Sequence, residues 1–273
     1  MTTNFGHDGL SFRYRDDGSG LPVVFQHGLG GDLTVPCALF ARPDGVRLIS
    51  FDARYHGDTR PLGDPAKLSF DAFADDAVAL LDHLKIDKAV IGGISMGAGL
   101  ALNFAIRHPE RTLGVILSRP AWLDDPFPEN VRVFPIIAQF IREFGAIVGL
   151  ERFKKTDEYA KTLRESADSA TALVGMFQHP RSEETVEKLE RIPRDCPSTN
   201  REAWKAIEAP TLVMANKIDP IHPFFMGQVL ASTIPNADFR ELTPKSVNLG
   251  KHADDVTRWM TEFLQDRLKL AKV

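Results

Sequence analysis

The residues most able to do chemistry are Gly93-Ile94-Ser95-Met96-Gly97, a G-x-S-x-G set between two apolar segments. Residues 89–94 form a short apolar run that predicts a buried strand. Leu100, Leu102, Phe104 and Ala105 recur as on a helix that stops before Pro109. A serine at such a strand-to-helix turn sits in a strained backbone conformation with its hydroxyl lifted above the sheet edge. Glycines on either side keep Cβ atoms out of the place where strand and helix crowd each other. The Met96 backbone N–H, at the start of that helix, points at any negative charge that develops beside Ser95. The chemistry is therefore nucleophilic attack by a serine. The bland alternative is a tight turn with an idle hydroxyl.

A second glycine-rich turn, His27-Gly28-Leu29-Gly30-Gly31-Asp32, follows the apolar run Leu21–Gln26. Such a turn lets the backbone approach a ligand and exposes its N–H groups. A phosphate-binding role is disfavoured, because neither G-x-x-x-x-G-K-[ST] nor G-x-G-x-x-G occurs. The two cysteines, Cys37 and Cys196, match no metal-ligand spacing and suit free thiols in a cytoplasmic protein. No metal and no organic cofactor is expected.

The elements that must hold these turns alternate. Strands are predicted at 10–15, 21–26, 46–51, 88–94, 111–118 and 209–215, with a last one after Pro235. Asp16 to Gly20 reads as a turn. A helix capped by Ser69 carries Phe70, Phe73, Val78, Leu81 and Leu84, and further helices cover 224–234 and the stretch from Val256 to Leu268. This rhythm predicts an α/β fold with a mostly parallel central sheet covered by helices on both faces. The chain has 273 residues, 43% hydrophobic and 26% charged, which suits one large domain or a domain with an insertion. A net charge of −4 without a basic stripe disfavours nucleic acid as a partner. The polar N-terminus shows no signal peptide, and no apolar run suggests a membrane span.

A strand ending in His27-Gly28, a strand ending in Asp52-x-Arg54-x-His56-Gly57, and the Gly93–Gly97 turn, in this order, resemble the α/β-hydrolase fold superfamily. The resemblance covers roughly residues 10–120 and 205–270. It implies a serine esterase or lactonase with Ser95 as nucleophile and an oxyanion hole made by the Leu29 and Met96 N–H groups. It places the triad acid after the strand at 209–215, at Asp219. The family histidine belongs just after the last strand, near Val247, where residues 243–248 hold none. His252 lies downstream, and the expected triad is Ser95-His252-Asp219, with a longer, bent loop bringing His252 over Ser95. His222, three residues past Asp219, and an incomplete triad are the alternatives. The motif also has glycine where this chain has Tyr55.

From 120 to 204 the rhythm changes to prolines and amphipathic helical patterns. This resembles the helical cap that many family members insert, so 1–119 with 205–273 is expected as the core and 120–204 as the cap. Trp122, Phe127 and Phe134 are candidate pocket walls, and Arg119 a candidate partner for a substrate carboxylate. The expected reaction is hydrolysis of a carboxylic ester or lactone of a small organic molecule. Carbon–carbon bond hydrolases and haloperoxidase-like members share the framework. A ligand-binding protein with an impaired triad is the reading from another class.

Overall fold

The computed structural model describes residues 2–270. Eight strands, β1 (Thr2–His7), β2 (Leu10–Gly18), β3 (Leu21–Gln26), β4 (Val46–Phe51), β5 (Ala89–Ile94), β6 (Thr112–Ser118), β7 (Thr211–Ala215) and β8 (Ala237–Glu241), form one sheet in the order β1-β2-β4-β3-β5-β6-β7-β8. The pairs β1–β2 and β2–β4 are antiparallel, and every later pair is parallel. Sequence patterning missed β1, whose residues are mostly exposed and polar and which is recruited by pairing with β2. It also placed a turn at Asp16 and Asp17, which instead extend β2 along β4. Beyond Arg15, β2 pairs with β4 alone and these carboxylates stay partly exposed; Arg47 makes two hydrogen bonds to Asp16.

Alternation along the parallel strands divides the core. Val23, Phe25, Val90, Ile116 and Leu212 point to one face, where α10 (Leu249–Leu268) packs Val256, Met260, Phe263 and Leu264 against them. α1 (Thr34–Leu39), unpredicted from the sequence, meets α10 on that side. Val24, Ile91, Val115 and Leu117 point the other way, toward α2 (Phe70–His83) and α3 (Met96–Arg107). Phe70, Phe73, Leu80, Leu100 and Phe104 are fully buried there, each worth about 1.5–3 kcal/mol of transfer free energy. The Ser69 hydroxyl caps α2 by accepting the Ala72 N–H, as its position before the apolar run predicts.

Between β6 and β7 the described chain holds no strand. It builds α4 (Val133–Phe153), α5 (Asp157–Glu165), α6 (Ala167–Gln178), α7 (Glu187–Arg191) and α8 (Glu202–Lys205). The stretch Glu129–Phe153 is long and apolar enough to cross a membrane by length and composition, with mean hydropathy 1.6, which the sequence reading did not register. In the fold Val133, Phe134, Ile137, Ala138 and Ile141 are buried, and Gly145 breaks the helix with φ 72°. It packs against α6 and α7 with 28% of its apolar window buried, and Ile147 and Val148 are exposed. α9 (Phe224–Thr233) follows the loop that carries Asp219.

Candidate active site

Ser95 stands between β5 and α3 with φ 57° and ψ −111°, the strained turn its motif predicts. Two glycines make the turn possible. A Cβ on Gly97 would lie 2.3 Å from the Gln26 carbonyl oxygen, and one on Gly93 would lie 2.5 Å from the Gly97 carbonyl carbon. Strand β3, helix α3 and the serine turn thus meet closer than any side chain allows.

The loop after β3 comes up beside the serine. An added Cβ on Gly28 would sit 3.3 Å from Ser95 Cβ. The peptide joining Gly28 to Leu29 is fixed by its carbonyl, which accepts from His27 Nδ1 at 2.8 Å and from the Gly31 N–H at 3.0 Å. Its N–H end, on Leu29, is thereby turned the other way. Among the described residues neither the Leu29 nor the Met96 N–H has a protein acceptor. His27 is held in that tautomer by the Ala53 N–H, which donates to Nε2 at 3.1 Å. Burial pushes its pKa down to about 4, so it is a neutral structural ring. His56 bonds the Leu29 carbonyl at 2.8 Å and is likewise fully buried. Tyr55 has φ 63°, the conformation for which a glycine is suited; its ring packs inside and its hydroxyl donates to the Gly63 carbonyl at 3.3 Å.

A cavity of about 390 Å³ opens over Ser95. Gly28 to Gly31, Val35, Ile94 and Phe134 form part of its wall, and Ser169, Leu173 and Met176 of α6 cover it. Arg119, His222, Lys245 and Asp168 supply its charged and titratable lining. The covering helices are moored to the core by polar contacts. Arg181 Nη1 donates to the Gly57 carbonyl at 2.5 Å, Asn130 Nδ2 to the Ile221 carbonyl at 2.7 Å, and Asp195 accepts the Phe70 N–H at 2.7 Å.

The acid loop places Asp219 beneath the cavity, 8% exposed. Its Oδ1 accepts from His222 Nδ1 at 2.9 Å, and its Oδ2 lies 3.2 Å from Arg119 Nε. That second contact is an ion pair without hydrogen-bond alignment, since Nε has no hydrogen-bond partner. Burial works against the Asp219 charge, but His222 and Arg119 outweigh it and hold the carboxyl well below the usual carboxylate range. The Ser169 hydroxyl reaches Oδ1 from the covering helix at 3.4 Å. Arg119 Nη2 lies 3.3 Å from His222 Nδ1, so Arg119 and Asp219 compete for one ring nitrogen. When Nδ1 donates to Asp219, the lone pair is on Nε2, which bonds no described residue.

His252 is placed elsewhere. It lies in the first turn of α10, its N–H bonded to the Asn248 carbonyl, so a helix and not a pliant loop sets its direction. Its Nδ1 faces the Thr243 carbonyl at 2.8 Å, its Nε2 is buried without a partner, and it does not line the cavity. Burial pushes its pKa down to about 4. Asp219 is bonded to His222 and not to His252. Of the candidate walls, Phe134 lines the cavity. Trp122 packs edge-on against Phe70 in the core, and Phe127 has the guanidinium groups of Arg132 and Arg194 over its ring at 5.5 and 4.4 Å. Arg119 lines the cavity with its guanidinium already committed to Asp219. Lys245, unweighed in the sequence, is delivered to the cavity by the loop after β8 where a histidine was sought. Only its loop position could have signalled it.

A family model for the alpha/beta hydrolase fold matches residues 22–246. The chain is 29% identical over 241 residues to 2-hydroxymuconate semialdehyde hydrolase of Pseudomonas sp. (strain CF600), covering 84% of this chain and 81% of that one. It is 28% identical to the non-heme chloroperoxidase CPO-A1 of Kitasatospora aureofaciens, covering 94% and 96%. Among solved structures, the enol-lactonase from Burkholderia xenovorans LB400 superposes with TM-score 0.74 at 24% identity, over 96% of this chain and 100% of that one. A thermophilic esterase from Thermogutta terrifontis gives TM-score 0.74 at 25% identity, over 97% and 98%.

Proposed function

Because the chain belongs to the alpha/beta hydrolase fold family, we propose that it is a serine hydrolase cleaving a carboxylic ester or lactone of a small organic substrate. The observation that carries this reading is Ser95 in its strained turn at a cavity lined by the Gly28–Gly31 loop and by His222, with Asp219 bonded to that histidine. His222 Nε2 takes the Ser95 Oγ proton as Oγ bonds the acyl carbon. The oxyanion is held by the Leu29 and Met96 N–H groups, a donor of this kind being worth about 2.7–4 kcal/mol. The proton passes to the leaving oxygen as the ester bond breaks. Water then gives a proton to His222, attacks the acyl carbon and returns Ser95 to its free form. Residues 120–204 act as the cap that keeps bulk water from the acyl-enzyme.

A second reading, a ligand-binding protein with a slow site, is supported by one observation. Among the described residues Ser95 Oγ donates no hydrogen bond to an imidazole: His222 Nδ1 bonds Asp219 and His252 Nδ1 faces the Thr243 carbonyl. Turnover of a panel of short-chain esters and lactones by wild type and Ser95→Ala separates the two. Turnover abolished in the variant supports the hydrolase. Turnover of none of them, or turnover that survives in Ser95→Ala, overturns it.

A further inference from the structure

Lys245 is half-buried, lines the same cavity as Ser95, and has neither ion pair nor hydrogen bond among the described residues. The other cation there, Arg119, is committed to Asp219. Asp168, near the start of α6, also lines the cavity and favours the Lys245 ammonium through space, as Asp219 does, yet neither is paired with it. Arg119 opposes it. A partly desolvated ammonium left without a partner is costly, and a carboxylate that reaches it gains a charge-assisted hydrogen bond. Val35, Ile94, Phe134, Leu173, Met176 and Ile221 give the rest of the wall an apolar stretch, beside the hydroxyls of Ser169 and Thr171.

We infer that Lys245 is the anchor for a substrate carboxylate, so that the preferred substrates are esters or lactones whose acyl part ends in a carboxylate. The inference rests on the serine-hydrolase reading and adds the substrate class to it. Burial and the neighbouring Arg119 also push the Lys245 pKa down, consistent with a site that waits for an anion.

The test compares kcat/KM for mono-4-nitrophenyl glutarate, which is anionic, with that for 4-nitrophenyl butyrate, which is neutral. Wild type, Lys245→Met and the exposed control Lys251→Met are used. The expected result is that the anionic-to-neutral ratio falls about tenfold or more in Lys245→Met, mainly through KM, and holds in Lys251→Met. An unchanged ratio overturns the inference. So does an equal loss against both esters, which would make Lys245 a proton-transfer group. Calorimetric titration of glutarate into Ser95→Ala, with and without Lys245→Met, reads the anion site without turnover. If wild type cleaves neither ester but glutarate binding needs Lys245, the hydrolase reading fails and the anion site stands. If fluorophosphonate still labels Ser95 in Lys245→Met but ratio and glutarate affinity are unmoved, the anion site fails and the hydrolase reading stands.

Discussion

His222 Nδ1 lies 2.9 Å from Asp219 Oδ1, three residues earlier on the same loop. Acid and imidazole therefore come from one turn between β7 and α9, instead of from two loops. The turn is braced twice: Asp219 Oδ1 also accepts the His222 backbone N–H at 3.2 Å, and Arg119 contacts both side chains. The cost of this arrangement is competition, because the guanidinium and the carboxylate both address Nδ1.

The two histidines are separable by substitution. His222→Ala is expected to lower kcat by about 10²–10⁴-fold, the usual contribution of a general base. His252→Ala removes a ring outside the cavity and is expected to act on stability more than on kcat. Steady-state kinetics beside thermal unfolding of both variants checks this. The reverse ranking of kcat would return the role to His252.

The pH profile carries a sign. Burial lowers the His222 pKa first, Asp219 raises it, and Arg119 and Lys245 lower it again, leaving it below the ordinary 6.5. A base must be neutral to act, so the acidic limb of kcat/KM is expected below pH 6.5. Arg119→Met removes a charge that opposes the imidazolium, so the limb should move to higher pH. A limb above 6.5 in wild type, or one that moves down in the variant, contradicts the assignment.

The strained turn at Ser95 and the position of Asp219 in the loop after β7 were legible because each is fixed by its own strand end. Gly93 and Gly97 announce a contact too close for side chains, and the acid follows β7 directly. The approach of the Gly28–Gly31 loop to Ser95 was legible for the same reason. The partner of Asp219 was not, since its choice depends on how the acid loop folds back on itself, and spacing does not encode that. A place downstream of the acid loop favoured His252, but the helix capped by Asn248 turns that ring toward the Thr243 carbonyl. Trp122 and Phe127 read as wall residues by type alone, and core packing claimed the first while two arginines claimed the second. Strand β1 lacked alternation because pairing, and not a buried face, holds most of it.

Lys188 is a stability prediction. It is 4% exposed, on α7, with one hydrogen bond, to the Tyr55 carbonyl at 3.4 Å. Burial first, then Arg181, push its pKa down to about 7 from 10.5. The unfolded chain therefore takes up the proton before the folded one, and folding loses stability as pH falls from about 10 to about 7. Lys188→Met should flatten this dependence and raise stability near pH 7 by about 1–4 kcal/mol. Urea unfolding of both proteins across that range reads it, and a parallel pair of curves refutes it.

Two glycines make opposite predictions. Gly97→Ala drives a methyl into the Gln26 carbonyl and should cost about 1–3 kcal/mol as well as activity. Gly175→Ala meets nothing within 4 Å on α6 and should gain about 0.5–1 kcal/mol. Equal effects in denaturant would contradict the packing described at the serine turn.

The most direct test of the central claim is intact-mass labelling of the folded protein with a fluorophosphonate. The account predicts rapid addition of a single label to wild type, none to Ser95→Ala, and slow addition to His222→Ala with His252→Ala close to wild type. Absence of labelling in folded wild type, or labelling that survives Ser95→Ala, would contradict it.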